Sequence, residues 1–316
     1  MMTGSPSEGA LRYRESFEKR LAQINTIRYL DIHVADHCNL RCAGCLHFAP
    51  LAEERFLDLE EYDRELEMLA AIRGFKGYFN CICLMGGEPL LHPQVAEVVR
   101  ITRSRLGNES IMLSTNGLLL KRMTDAFWET LVECDVALNI SPYPISVDYH
   151  GLVELARAKG VSASFSADRT GIDGGKGHFL KLALDPEGGQ DPAASFAACP
   201  FGGINLQLAR CALWPCQVAA HHGALERRFG YHMQGCAEDS LPLESIDSVD
   251  QIESFRRAVH PFCRHCANDE LTIVEWKSSV CDPGEWTVRS YWCCRSARCW
   301  DSGGGLDRTR ENWYHS

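Results

Sequence analysis

The chain has 316 residues, 45% hydrophobic and 23% charged, which suits a soluble globular protein with room for one large domain and a small appendage. A net charge of −10 without any basic stripe argues against nucleic acid as a partner, and no run approaches the roughly 18–20 apolar residues of a membrane span. The outlier is cysteine, with 16 copies; the N-terminus lacks the apolar core of a secretion signal, so a cytoplasmic chain using cysteine for metal or redox chemistry is expected rather than a disulfide framework.

Residues 1–26 read as an N-terminal helical extension. "IRYLDIHVA" (27–35) alternates and is β-branched enough for a strand, and it feeds directly into a cysteine loop. Residues 58–73 predict a helix, with Asp58 as N-cap, Glu61 three residues on, and Leu59, Tyr62, Leu66 and Leu69 on one face. The alternation then repeats. Strands are predicted at 78–85, 110–117, 135–144 and 161–168, and helices near 93–106, 124–133 and 150–159. A sixth strand is expected at 178–184 or 203–209. Strand–helix alternation with short apolar strands implies an α/β fold built on a parallel sheet, open or closed into a barrel. In such folds ligands bind at the strand C-termini. The cysteine loop, "GGEP" (86–89), "STNG" (114–117) and "SPYP" (141–144) all fall there, so they should converge.

The pattern changes after about residue 185. "DPEGGQDPAAS" reads as a loop, short strand-like pieces carry scattered cysteines, and one helix is predicted at about 248–260, with Val249, Ile252, Phe255 and Val259 on one side. A partial barrel over 27–189, a smaller lobe over 190–276 and a cysteine-containing tail over 277–316 are the expected divisions.

The first cysteine loop, "ADHCNLRCAGCLHFAP" (35–50), places Cys38, Cys42 and Cys45 at C-x3-C-x2-C. Thiolates suit zinc or an iron–sulfur cluster. Structural zinc needs a fourth protein ligand, which His33, His37 or His47 could supply; a [4Fe–4S] cluster with three cysteines keeps one iron open. This spacing after the first strand, followed by Gly86-Gly87-Glu88-Pro89 after the second, resembles the radical S-adenosylmethionine (SAM) superfamily over roughly 28–168. The resemblance implies a partial (β/α)6 TIM-like barrel. It also implies cluster ligation by Cys38, Cys42 and Cys45, and SAM chelating the open iron and giving a 5′-deoxyadenosyl radical on reduction. Gly86, Gly87, Glu88 and Pro89 would hold the SAM amino group, and Ser114, Asn116 and Ser141 would line the SAM pocket. The family has an aromatic residue just before the third cysteine. Gly44 stands there, which leaves the adenine contact to His47 or Phe48, or missing.

Cys199, Cys216, Cys263 and Cys266 form a second set, C-x16-C followed by a C-x2-C hairpin. Four cysteines would satisfy zinc. The set also resembles the twitch domain, a shortened SPASM domain with one auxiliary [4Fe–4S] cluster, as in the similar radical SAM dehydrogenase of 2-deoxystreptamine biosynthesis. Cys211 is a substitute ligand candidate. Cys81, Cys83 and Cys134 read as core. Cys236 reads either as inert or, by likeness to the aminoglycoside epimerase, as a hydrogen-atom donor.

The resemblance thus implies an enzyme with two [4Fe–4S] clusters and SAM, acting on a small polyhydroxylated molecule (a sugar, cyclitol, aminoglycoside or nucleoside) by dehydrogenation or epimerisation. It would draw electrons from an external reductant such as a flavodoxin or ferredoxin. A peptide-modifying radical SAM enzyme and a non-enzymatic zinc or iron–sulfur scaffold are the alternatives. The acidic chain slightly favours an amino-bearing substrate.

Overall fold

We analysed a computed structural model, which describes residues 27–107, 109–166, 177–233 and 235–288. The expected N-terminal extension, Cys293, Cys294 and Cys299 lie outside these residues, as do 167 and 168 of the fifth predicted strand.

Four strand–helix units and a fifth strand follow in the expected order. They are β1 (Tyr29–Ala35), α1 (Leu59–Ala71), β2 (Cys81–Gly86), α2 (Val95–Leu106), β3 (Ile111–Thr115), α3 (Asp125–Glu133), β4 (Val136–Ile140), α4 (Tyr149–Ala158) and β5 (Ala163–Phe165). Local chemistry sets the helix starts. The Asp58 carboxylate accepts from the Glu60 and Glu61 N–H groups, Thr124 from Phe127, and Asp148 from Gly151, each satisfying donors that a helix start leaves orphaned. Gly107, at φ 64°, ends α2.

The chain continues through β6 (His178–Lys181), α5 (Pro192–Ala197), β7 (Asn205–Ala209), β8 (Ala212–Trp214), α6 (Gln217–His221), α7 (Gly223–Phe229), β9 (Leu241–Pro242), α8 (Val249–Arg257) and β10 (Thr272–Glu275). The main sheet runs β5-β4-β3-β2-β1-β7-β8-β9. It is parallel from β5 to β7, as in a partial TIM-like barrel, and antiparallel beyond.

Three expectations are refined. The sixth parallel strand is the 203–209 candidate. It adds to the outer edge of β1 rather than beyond β5, with Tyr29 opposite Asn205, so the sheet runs past the boundary expected at 189. The 178–184 segment instead forms an antiparallel pair with β10. The "DPEGGQDPAAS" loop contains α5, because Asp191 caps it and Pro192 takes the first helical position. Helix α8 carries a Ser248/Gln251 capping box and stops before 260; Pro261 excludes helical backbone at His260.

β1 shows how the fold positions a site. Leu30, Ile32 and Val34 are fully buried and join the core under the helices. Asp31 and His33 alternate onto the opposite face and are also buried. There Asn205 donates to the Asp31 carboxylate at 2.9 Å and Gln207 to the Asp31 carbonyl at 2.9 Å. A sheet with one apolar and one polar buried face has its helices on the first and a barrel interior on the second. A second core unites Phe48 of the cysteine loop with Leu182, Phe201, Val218, Phe262 and Trp286. No helix among the described residues is long and apolar enough to cross a membrane.

Candidate functional site

The loop after β1 gathers Cys38, Cys42 and Cys45. Tight turns fold it, with Cys45 N–H donating to the Cys42 carbonyl and Phe48 N–H to that of Cys45. Donors converge on the sulfurs. Leu40 N–H lies 3.3 Å from Cys38 Sγ, Asn116 Nδ2 3.6 Å from the same sulfur, and Trp276 Nε1 3.2 Å from Cys42 Sγ. Burial pushes the Cys38 thiol up to about 12 despite the Leu40 N–H, and Glu88, Cys45 and Cys42 add to the rise. The Tyr143 hydroxyl is raised too, by burial first and then by Cys42, Cys45 and Cys38. Three thiols on one loop, Cys42 buried and Cys38 and Cys45 half-buried, with N–H donors aimed at two of the sulfurs, suit the donor set of an iron–sulfur cluster. His33 and His47 do not complete a four-ligand zinc site here; their ring nitrogens meet each other at 2.8 Å.

The GGEP stretch packs directly on this loop. Gly87 N–H donates to the Ala35 carbonyl at 2.7 Å and Glu88 N–H to that of His37 at 3.0 Å. A Cβ on Gly86 would sit 2.5 Å from Ala35 O, and one on Gly87 2.1 Å from His37 O. The close approach that demands glycine is therefore that of the cysteine loop itself. The Glu88 carboxylate turns inward and is 1% exposed. It accepts from Thr115 Oγ1 (2.6 Å), Asn116 N (2.8 Å) and Leu90 N (3.1 Å), bracing the ends of β2 and β3. Pro89 is buried and opens a short turn. Asn116 reaches the cysteine loop, donating also to Asn39 Oδ1 at 2.7 Å. Ser114 accepts from Asn139 at 3.2 Å, and Ser141 pairs with Ser166 at 2.8 Å.

The start of the tail, for which the sequence offered no role, straps this loop. Ala43 N–H donates to the Lys277 carbonyl, Ser279 N–H to that of Arg41, and Trp286 Nε1 to that of Cys45. Arg41 Nη2 lies 2.9 Å from Cys281 Sγ. Gly44 is explained by the same strap: its φ is +69°, and a Cβ there would meet Glu285 O at 3.1 Å. Tyr143, Phe179 and Trp276 line the strap's inner side. Sequence reading missed Trp276 and Trp286 because neither sits in a periodic element.

The second set also converges. Cys199, Cys216 and Cys266 are half-buried and pack against the second core, and each of Cys199, Cys216 and Cys263 bears on Cys266. Burial, with further rises from neighbouring thiols, pushes Cys199 up to about 12 and Cys263 to about 11. N–H groups of Phe201 and Ala219 point at Cys199 Sγ (3.4 Å) and Cys216 Sγ (3.5 Å). Four half-buried thiols from three separate segments that bear on one another suit the wider spacing of an iron–sulfur cluster. Cys211 does not join them. It is exposed on the β7–β8 turn, its N–H held by Glu65 at 2.5 Å. Cys236 is exposed as well, its N–H bound to Asp239 at 2.6 Å. Cys81, Cys83 and Cys134 are buried, as expected of core residues.

Comparison with known proteins agrees with the first cysteine site. GTP 3′,8-cyclase of Chlorobaculum tepidum is 38% identical over 104 residues, 33% of this chain and 30% of that protein. The enzyme of the same name from Pelotomaculum thermopropionicum is 33% identical over 159 residues, 49% and 46% respectively. The match thus spans less than half the length of these relatives. Among solved structures, BtrN in complex with AdoMet and 2-DOIA aligns at 18% identity with a TM-score of 0.49, over 76% of this chain and 93% of that one. Streptococcus suis SuiB bound to S-adenosylmethionine aligns at 15% and 0.35, over 49% and 38%. The family described as the radical SAM superfamily, whose members use a [4Fe–4S] cluster and SAM, matches residues 32–150. Those residues hold the three-cysteine loop, GGEP and the strand ends around them, and the match assigns a radical SAM domain to that stretch.

Proposed function

We propose that the chain is a radical SAM oxidoreductase with two [4Fe–4S] clusters that dehydrogenates a small polyhydroxylated molecule. The observation that carries this reading is the convergence of Cys199, Cys216, Cys263 and Cys266, three of them packed against the second core, on the lobe that adjoins the cysteine loop. When bound, the first cluster and SAM supply a radical that takes a hydrogen atom from the substrate. The chain's residues do the rest. Cys38, Cys42 and Cys45 hold the first cluster, and Trp276 and Asn116 orient its sulfurs. Glu88 locks the β2 and β3 ends that face SAM. Tyr143 and the 276–288 strap exclude water from the loop. Four cysteines leave the second cluster no open iron, which suits it to accept the electron a dehydrogenation releases. The exposure of Cys236 favours dehydrogenation over epimerisation through a buried thiol. The match to the cyclases covers too little of either chain to bring a substrate with it.

The test is anaerobic reconstitution. About eight irons per chain and reductive SAM cleavage are expected, with cleavage lost in Cys38→Ala, Cys42→Ala and Cys45→Ala. Turnover in deuterated water should give a product two hydrogens lighter with no deuterium gained. Zinc without iron overturns the reading, and solvent deuterium in a product of unchanged hydrogen count replaces dehydrogenation with epimerisation.

A further inference from the structure

A polar cluster lies between the two cysteine sites, and neither uses it. His33 leaves the inner face of β1; Gly86 approaches its ring closely enough that a Cβ would lie 3.1 Å away. His47 follows Cys45 by two residues and meets His33 Nε2. His221, five residues past Cys216 at the end of α6, stacks on His33 with ring centroids 3.8 Å apart. Asp36 bonds His33 Nδ1 at 3.1 Å and faces Arg55 at 3.9 Å. Arg210 reaches the same place, with Nη2 2.8 Å from the carbonyl of Ala220, the residue before His221.

His33, Asp36 and His221 stand close enough together to hold a metal ion, but the surrounding charge argues otherwise. Burial first, then His33, His47, Arg210 and Arg55, keep the His221 imidazole neutral. Arg55 and Arg210 face Asp36 here, with Glu65 also bearing on Arg210, and planar guanidiniums are donors that match an anion's oxygens rather than ligands for a cation. His221 Nε2 is buried with no hydrogen-bond partner, a cost of the kind a ligand relieves. Arg210 and Cys211 form the β7–β8 turn with φ of +55° and +53°, a conformation that Asn-Gly adopts far more readily. The Arg55 side chain is 68% exposed, so the cluster opens to solvent on that side.

We propose that this cluster binds the phosphate of a phosphorylated substrate, with Arg55 and Arg210 as its anchors and His221 Nε2–H as a donor. The inference rests on reading the barrel mouth as the substrate site, and it narrows the substrate to a sugar phosphate or nucleotide. It reverses what net charge suggests: the chain is acidic, but two guanidiniums gather here.

The test is calorimetric titration of the full chain, both cysteine sets loaded with iron, with inorganic pyrophosphate and with a nucleoside diphosphate. Saturable binding of both, each competing with the other, is expected. Arg210→Gln should weaken it roughly ten- to hundredfold, Arg210→Lys and His221→Asn less, and Arg157→Gln on α4 not at all. Affinities within twofold across these variants overturn the proposal, as does absent binding at millimolar pyrophosphate. Manganese binding at the site by electron paramagnetic resonance, lost in His221→Asn, would replace the anion with a metal. Iron content and SAM cleavage are read on the same samples. Their failure with pyrophosphate binding intact removes the proposed chemistry and keeps the anchor; the reverse removes the anchor alone.

Discussion

The two cysteine sets are assembled in opposite ways. Cys38, Cys42 and Cys45 come from one loop eight residues long, and the chain spends its tertiary contacts on fixing that loop: Gly87 and Glu88 from one side, Asn116 from another, and the 276–288 strap from above. Cys199, Cys216, Cys263 and Cys266 come from before β7, after β8 and after α8, and their position is fixed by a shared apolar core. A contiguous motif needs bracing, because a loop has little burial of its own; a dispersed one needs only that its core forms. The strap also ties the two together, since Trp286 packs in the second core while donating to Cys45 O.

The sharpest way to separate the sets is to remove one. Cys266→Ala should lower iron from about eight to about four per chain, leave SAM cleavage in place and abolish substrate oxidation. Iron analysis and product assay on one preparation check this; loss of SAM cleavage as well would mean that the sets are not separable. Gly87→Ala attacks the bracing of the first set. With His37 O only 2.1 Å from the new Cβ, the cysteine loop must move, costing on the order of 2–4 kcal/mol. Gly77→Ala is the control, with φ +75° but nothing within 4 Å, and should cost about 1 kcal/mol. Denaturant unfolding of the loaded chains measures both.

This difference in assembly also decides what could be read from the chain. The four strand–helix units and the fifth strand were legible because their apolar periods and caps are local, as Asp58 and Thr124 illustrate. The three-cysteine loop was legible for the same reason. The edge chosen by the sixth parallel strand was not. "GINLQLA" reads as a strand anywhere, and what places it beside β1 is the pair of bonds that Asn205 and Gln207 make to Asp31, 174 and 176 residues away in sequence. Gly44 looked like a departure from a pattern when seen alone. Only the strap, whose Glu285 carbonyl would lie 3.1 Å from a Cβ at a position already at φ +69°, shows why glycine is favoured there. His221 and Arg210 carried no motif at all, and become a site only when α6 and the β7–β8 turn meet β1.

Smaller effects probe the bracing more finely. Trp276→Phe keeps the aromatic wall beside Tyr143 but removes the N–H donated to Cys42 Sγ. A donor at a ligand sulfur favours the reduced, more negative cluster. Losing one worth about 1 kcal/mol should lower the first cluster's potential by on the order of 40 mV. Spectropotentiometry of the loaded chain reads this, and an unchanged potential would make Trp276 a packing residue only.

Glu88 gives the most limited test, one of slope rather than level. Burial pushes its carboxyl up to about 7 from an ordinary 4.5, although Thr115, Asn116 and Leu90 donate to it. The folded chain therefore holds a proton that the unfolded chain has released between those values. Its contribution to stability is fully present below pH 4.5 and is lost as pH rises through 7, a change of about 3 kcal/mol. Glu88→Gln cannot ionise, and its amide must face the Asn116 or Leu90 N–H, so the variant should be less stable overall. Between pH 5 and 8, however, its unfolding free energy should lack the decline that the unmodified chain shows. Parallel slopes for the two proteins would mean that the three donors already hold Glu88 ionised, and that its brace between β2 and β3 is a charged one.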